Sequence, residues 1–244
     1  METGGGFQKR LQRIRGKGGS MDNVIMRVVM WAVPVVFSIV VHEVSHGWMA
    51  HRLGDDTAKR MGRLTLNPVP HIDPMGTVIL PLIMIIMGGP VFGWAKPVPF
   101  NPYNFKRNVN VRTGAMWVAL AGPASNLGIA FISSFILVAA QKFLSGFPSV
   151  IYFSVTQLAQ AFIVINLVLA SLNLIPIPPL DGSKILMRFL PPKYDHYFLM
   201  LERYGFLILL LLLGTGVFSS LIWGPVELLY SLFLLIPRLL FGVI

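Results

Sequence analysis

Residues Phe37–His51, "FSIVVHEVSHGWMAH", close an apolar run that begins at Val28 and is broken only by Ser38. Hydrocarbon-seeking side chains lead directly into His42, Glu43 and His46. An ionisable group inside a membrane span is costly unless partnered, so its default reading is functional. On a helix, His42 and His46 stand four residues apart and differ by about 40° in azimuth, so both imidazoles face one side. Two neutral imidazoles on one face can hold Zn²⁺, and the adjacent Glu43 can take a proton from the metal's water. The pattern HExxH is short and recurs by chance, and a helix end that reaches water accommodates the same residues.

The surrounding composition favours the membrane. Of 244 residues 55% are hydrophobic and 12% charged, where a soluble domain carries about 25% charged; the mean hydropathy is +0.69. Residues 74–95, 113–141, 143–180 and 204–226 contain no Asp, Glu, Lys or Arg, and each reaches the roughly 20 residues that cross a bilayer core. With residues 24–52 and the tail from Glu227, these runs predict an all-α polytopic membrane protein of five to six transmembrane helices. The run at 143–180 is too long for one simple span, so part of it serves another purpose. Residues 21–244 read as a single domain.

The chain has no cysteine, which excludes disulfides, thiolate zinc and thiol nucleophiles. Residues 1–20 hold five Lys/Arg against Glu2, are Gly-rich and lack an apolar core, so they read as a disordered basic tail or an appended non-native segment before Met21, not as a secretory signal. The other basic residues are scattered in loops beside the spans, where they set topology and do not form a nucleic-acid surface. Arg52, Lys59, Arg60 and Arg63 follow the first span; Lys96, Lys106, Arg107 and Arg112 precede the third; Lys184, Arg188, Lys193 and Arg203 follow Asp181. Few lie near 141–149 and none in "WGP", read as a turn at 223–225. The basic loops are expected in the cytoplasm. The segment near 88–110 must then enter and leave on one side, as a re-entrant or β-hairpin-like extended stretch.

Two histidines need a third protein ligand. The extended pattern HExxHxxGxxH fails, because Met49 and Arg52 stand where Gly and His belong, and no Glu occurs between Glu43 and Glu202. His51, His71, Asp73 and Asp181 remain. His51 lies about 140° off the face of His46. His71 and Asp73 sit in the turn-rich "NPVPHIDPMG", where solvated or capping roles are ordinary. Asp181 ends the long uncharged run in "LNLIPIPPLDGSK", where Pro176, Pro178 and Pro179 cannot continue a helix. Non-helical backbone at membrane depth is tolerated only against protein or a wet cavity, although an interfacial Asp-Gly turn would look the same. Asn173 in that run, and Asn126 after a Gly122-Pro123 break, are polar groups for interhelical hydrogen bonds or for the site.

Taken in order, "VHEVSHGWMA", "AGPASN" and "NLIPIPPLDG" resemble the site-2 protease family of intramembrane zinc metalloproteases, in its compact prokaryotic branch without a PDZ domain. The likeness covers roughly residues 25–190. It implies one Zn²⁺ per chain held by His42, His46 and Asp181, with Glu43 as general base and acid. It also implies Asn173 and Asn126 as polar groups that meet the substrate. The activity implied is hydrolysis of peptide bonds in a membrane-spanning substrate helix (regulated intramembrane proteolysis), in a multi-pass protein of the prokaryotic cell membrane whose cleft opens towards the cytoplasm. A regulatory membrane partner is possible within that scheme, and the Pro-rich Val91–Pro102 stretch offers an edge to a substrate strand. The alternatives from another class are a non-catalytic zinc-binding scaffold, which would not need Glu43, and a metal-ion transporter, which would be expected to show further intramembrane carboxylates or inverted repeats.

Overall fold

The computed structural model describes residues 21–86, 93–215 and 217–243. The expectations for segment 1–20, and for the 88–92 part of the extended stretch, lie outside them. Among the described residues the chain is all-helical, without a strand: α1 (Met21–Leu53), α2 (Thr57–Arg60), α3 (Leu80–Ile86), α4 (Val111–Phe143), α5 (Ser149–Asn173), α6 (Asp181–Phe189), α7 (Asp195–Thr215) and α8 (Val217–Phe241). Four of these hold segments long and apolar enough to cross a membrane: Met30–Leu53, Val111–Phe143, Ser149–Asn173 and Leu221–Phe241. The charge-free runs had suggested five or six.

Helix α1 buries one stripe: Pro34, Ser38, His42, His46 and Ala50, spaced by four residues, face the interior, while Trp31, Val33, Val36, Phe37 and Trp48 are exposed. Gly54, at φ 113°, ends the helix; this left-handed conformation costs glycine little. Helix α4 starts at Asn110, whose side chain accepts from Arg112 N at 3.1 Å and Thr113 N at 3.2 Å. It packs on α1 and α5 through small side chains, among them Ala119, Gly122, Ala130, Ser133 and Ser134 on α4 and Ala159 and Ala170 on α5. Apolar attraction between helices is weak in lipid, so this close backbone approach supplies the packing. Ile163, Leu167 and Val138, with Ile222 and Val226 of α8, fill the core beside it.

Two stretches read as interruptions are helical. Gly122 and Pro123 lie inside α4, and Trp223–Pro225 lie inside α8. A proline removes one backbone donor, which membrane helices tolerate when neighbours satisfy the freed carbonyl. The long run at 143–180 divides as its length required: α5 ends at Asn173, and residues 174–180 turn the chain so that Asp181 begins α6.

Residues 93–101 form no regular element, yet their backbone is held at several points. Trp94 N donates to Gly76 O at 3.1 Å and Lys96 N to His71 O at 2.9 Å. Thr77 Oγ1 donates to Trp94 O at 2.9 Å. The buried Arg63 donates from Nη2 to Lys96 O at 2.6 Å. Gly76 admits the Trp94 indole, whose ring atoms lie 2.3–2.4 Å from where a Cβ would stand. Asp55 anchors the far end of the stretch: fully buried, it accepts from Asn101 N at 2.6 Å, Asn104 Nδ2 at 2.9 Å and Thr57 N at 3.1 Å.

Burial alone would raise the Asp55 carboxyl, but hydrogen bonds from Thr57, Asn104 and Asn101 outweigh it and hold it below its ordinary value. Its contribution to stability is therefore full above the unfolded value of about 3.9 and lost as pH drops through the lowered one. Asp55→Ala strands the Asn101 and Thr57 N–H groups at roughly 1–3 kcal/mol each. The thermal midpoint in detergent should drop by about 4–24 °C; an unchanged midpoint would show that this junction carries no stability.

Candidate metal centre

The buried stripe of α1 brings His42 and His46, 6% and 9% exposed, against α4. Each ring is held by its Nδ1. His42 Nδ1 lies 2.6 Å from Asn126 Oδ1, and His46 Nδ1 lies 2.7 Å from Val118 O. A carbonyl oxygen only accepts, so both Nδ1 atoms carry the proton and both Nε2 atoms present lone pairs. Those Nε2 atoms are 3.0 Å apart. Asp181, delivered by the turn after α5, places Oδ2 at 3.2 Å from His42 Nε2 and 3.3 Å from His46 Nε2. That oxygen is buried and makes no hydrogen bond.

Three converging lone pairs repel one another unless a cation lies among them. A zinc ion about 2.0–2.1 Å from each ligand sets tetrahedral edges of about 3.3 Å, and the observed triangle of 3.0, 3.2 and 3.3 Å fits that size. Among the described residues His42, His46 and Asp181 are the one such group of potential ligands. Gly122 makes room for it, since a Cβ there would stand 2.5 Å from His46 Cε1 and 2.6 Å from His42 Cε1. Gly182 does the same behind Asp181, where a Cβ would meet the Leu174 and Ile175 carbonyls at 2.4 Å.

The triangle opens into a cavity of about 150 Å³ lined by Glu43, Pro97, Val98, Phe100, Asn173 and Lys184. Glu43 Oε2 accepts from Val98 N at 2.8 Å, so the 93–101 stretch fixes one carboxylate oxygen. Asn173 is half-buried on the cavity wall and donates from Nδ2 to Leu169 O at 3.0 Å. Asn126 does not line the cavity; it is wholly buried behind His42.

The remaining ligand candidates are occupied elsewhere. His51 Nδ1 pairs with Asp56 Oδ1 at 2.6 Å, His71 Nε2 meets Thr65 O at 3.0 Å, and Asp73 caps the turn at 74–79 by accepting from Gly76 N at 2.8 Å. Reading the sequence alone did not find Gly122, Val118, Val98, Arg63, Ser38 or Asn166 at or around the site. Gly122, Val118 and Val98 act through a missing methyl, a carbonyl and an N–H, which leave no side-chain signature. Ser38 and Asn166 were findable as polar residues in apolar spans, Ser38 one turn before His42.

The family model described as "Peptidase family M50" matches residues 30–212. The Bacillus subtilis protein YwhC, named as a candidate zinc metalloprotease, is 40% identical over 193 residues, covering 78% of this chain and 83% of its own length. Two proteins named Rip2, described in the same words, match at lower identity. That of Mycolicibacterium smegmatis is 32% identical, with 74% of this chain and 64% of its own length covered. That of Mycobacterium tuberculosis is 29% identical, with 85% and 74% covered. No solved structure matches the chain. The family match spans well over half of the sequence and includes His42, Glu43, His46 and Asp181; the chain belongs to peptidase family M50, the site-2 protease family of metalloproteases.

Proposed function

We propose that the protein is a zinc-dependent intramembrane endopeptidase that cuts membrane-spanning substrates, and that residues 21–244 form one such domain. The observation that carries this reading is the triangle of two imidazole Nε2 atoms and a carboxylate oxygen, beside Glu43, on a helix apolar enough to span a bilayer. His42, His46 and Asp181 would hold one Zn²⁺, which would supply Lewis acidity and make water a ready nucleophile near neutral pH.

The chain's own groups do the rest. Glu43 has one carboxylate oxygen fixed by Val98 N–H; the other takes a proton as water attacks the scissile carbonyl. The same carboxyl returns that proton to the leaving amide nitrogen as the C–N bond breaks. Asn173, on the cavity wall, offers its amide to the substrate carbonyl. Asn126 acts from behind, orienting His42. The substrate helix unwinds locally, because a helical amide is otherwise closed to attack, and the irregular 93–101 backbone offers hydrogen-bonding groups beside the site.

The bonds between 94–96 and 71–77 return the chain to the end it left, which supports a re-entrant segment. The basic residues Arg52 at the end of α1, Arg112 at the start of α4, and Lys184 and Arg188 on α6 support a multi-pass protein whose cavity mouth faces the cytoplasm. Purified protein in liposomes with a single-span substrate tests the proposal. Mass spectrometry should map the cut within the span, chelation should abolish it, and one equivalent of Zn²⁺ per chain should restore it. Bound zinc with no cleavage of any membrane substrate would favour a scaffold instead.

A further inference from the structure

We propose that Asn166 is a positioning residue for the metal centre, setting the tautomer of His42 from a neighbouring helix through Asn126. The inference rests on the metal-site reading above. Asn166 sits on α5, wholly buried, with no place in the cavity lining. Its Nδ2 donates to Phe162 O at 2.8 Å and to Ser38 Oγ at 2.7 Å. A backbone carbonyl accepts and never donates, so the group beside Phe162 O has to be the amide nitrogen. Asn166 Oδ1 is thereby turned towards α4. There it accepts from Asn126 Nδ2 at 2.8 Å. With its nitrogen engaged, Asn126 presents Oδ1 to His42 Nδ1 at 2.6 Å. An acceptor at that position keeps the proton on Nδ1 and leaves Nε2 bare.

The relay matters because an asparagine amide is ambivalent, and the other acceptor for Asn126 Nδ2, the Ser38 carbonyl oxygen, lies at a longer 3.4 Å. Flipped, Asn126 would donate to Nδ1 and move the ring proton to Nε2, which lies 3.0 Å from His46 Nε2 and 3.2 Å from Asp181 Oδ2. That proton would occupy the place of the metal. His46 needs no such device, since Val118 O sets its tautomer directly. Ser38, Asn126 and Asn166 are all fully buried, so no solvent competes for these bonds. Their donors and acceptors run one way, from the Phe162 carbonyl to the Nε2 lone pair.

The test is the affinity of the full chain for Zn²⁺ in detergent micelles, by competition with a chromophoric chelator, in a double-mutant cycle. Asn166→Leu should weaken binding by about 10–100-fold, the range for groups that orient a metal-ligating histidine. Asn126→Asp replaces the ambivalent amide by a carboxylate, which accepts from Nδ1–H whichever way it is turned. In that background Asn166→Leu should cause no further loss. If Asn166→Leu does not give monodisperse protein, Asn166→Ala adds no bulk and serves in the same cycle. Wild-type affinity in the single variant, or an equal loss in both backgrounds, would overturn the relay. Failure of the wild-type chain to bind Zn²⁺ at all would instead remove the metal centre on which it rests.

Discussion

Glu43→Gln is expected to leave the zinc content of the purified protein unchanged while lowering cleavage of a membrane substrate by about 10²–10⁴-fold, the contribution of a positioned general base. The two readouts separate because Glu43 stands outside the ligand triangle. Its carboxylate accepts a bond from Val98 N at 2.8 Å, and the glutamine carbonyl can still accept that bond, though without the charge that strengthens it. The substitution preserves volume and an acceptor for the 93–101 stretch, and removes the negative charge together with the capacity to carry a proton. Turnover equal to wild type with zinc still bound would end the general-base assignment. Loss of zinc together with activity would show that Glu43 belongs to the metal's surroundings.

The second large effect is steric. Gly122→Ala puts a methyl 2.5–2.6 Å from ring atoms of both His42 and His46. Contacts under 3 Å force something to move, and overpacking of this kind typically costs about 1–3 kcal/mol. Both rings are pinned at Nδ1 by Asn126 and Val118, so the displacement appears at Nε2, the atoms proposed to bind the metal. Zinc affinity should fall by about 100-fold, within the range for disturbed ligand orientation, and cleavage with it. Gly128 lies on the same helix with nothing within 4 Å of where its methyl would stand, so Gly128→Ala should change neither readout. Equal behaviour of the two variants would mean that α4 does not press on the histidines.

How far the sequence alone could be read depends on where each signal resides. The i, i+4 pair of His42 and His46 in an apolar helix is visible because the misplaced residues are side chains in a regular frame. Asp181 was visible for a related reason: an overlong uncharged run had to break, and its prolines showed where. The structure brings Asp181 Oδ2 to 3.2–3.3 Å from both Nε2 atoms, a closeness that no local pattern encodes. Proline misled at Pro123 and Pro225, because breaker rules derived in water weaken where lipid leaves the chain no alternative to helix. Asn126 was expected to meet the substrate and instead backs His42, since the side of α4 it faces depends on how α4 packs between α1 and α5. The hold of Val98 N–H on Glu43 was illegible, as it joins an irregular backbone stretch to a helix 55 positions earlier in the chain.

Whether His42, His46 and Asp181 together hold one Zn²⁺ can be read from zinc K-edge X-ray absorption on the purified chain and on Asp181→Ala. The wild-type chain should carry one zinc, with two imidazoles and a carboxylate oxygen at about 2.0–2.1 Å, and the variant should have lost the metal or the oxygen scatterer. A wild-type spectrum without imidazole scattering, or one that Asp181→Ala leaves unchanged, would contradict that ligand set.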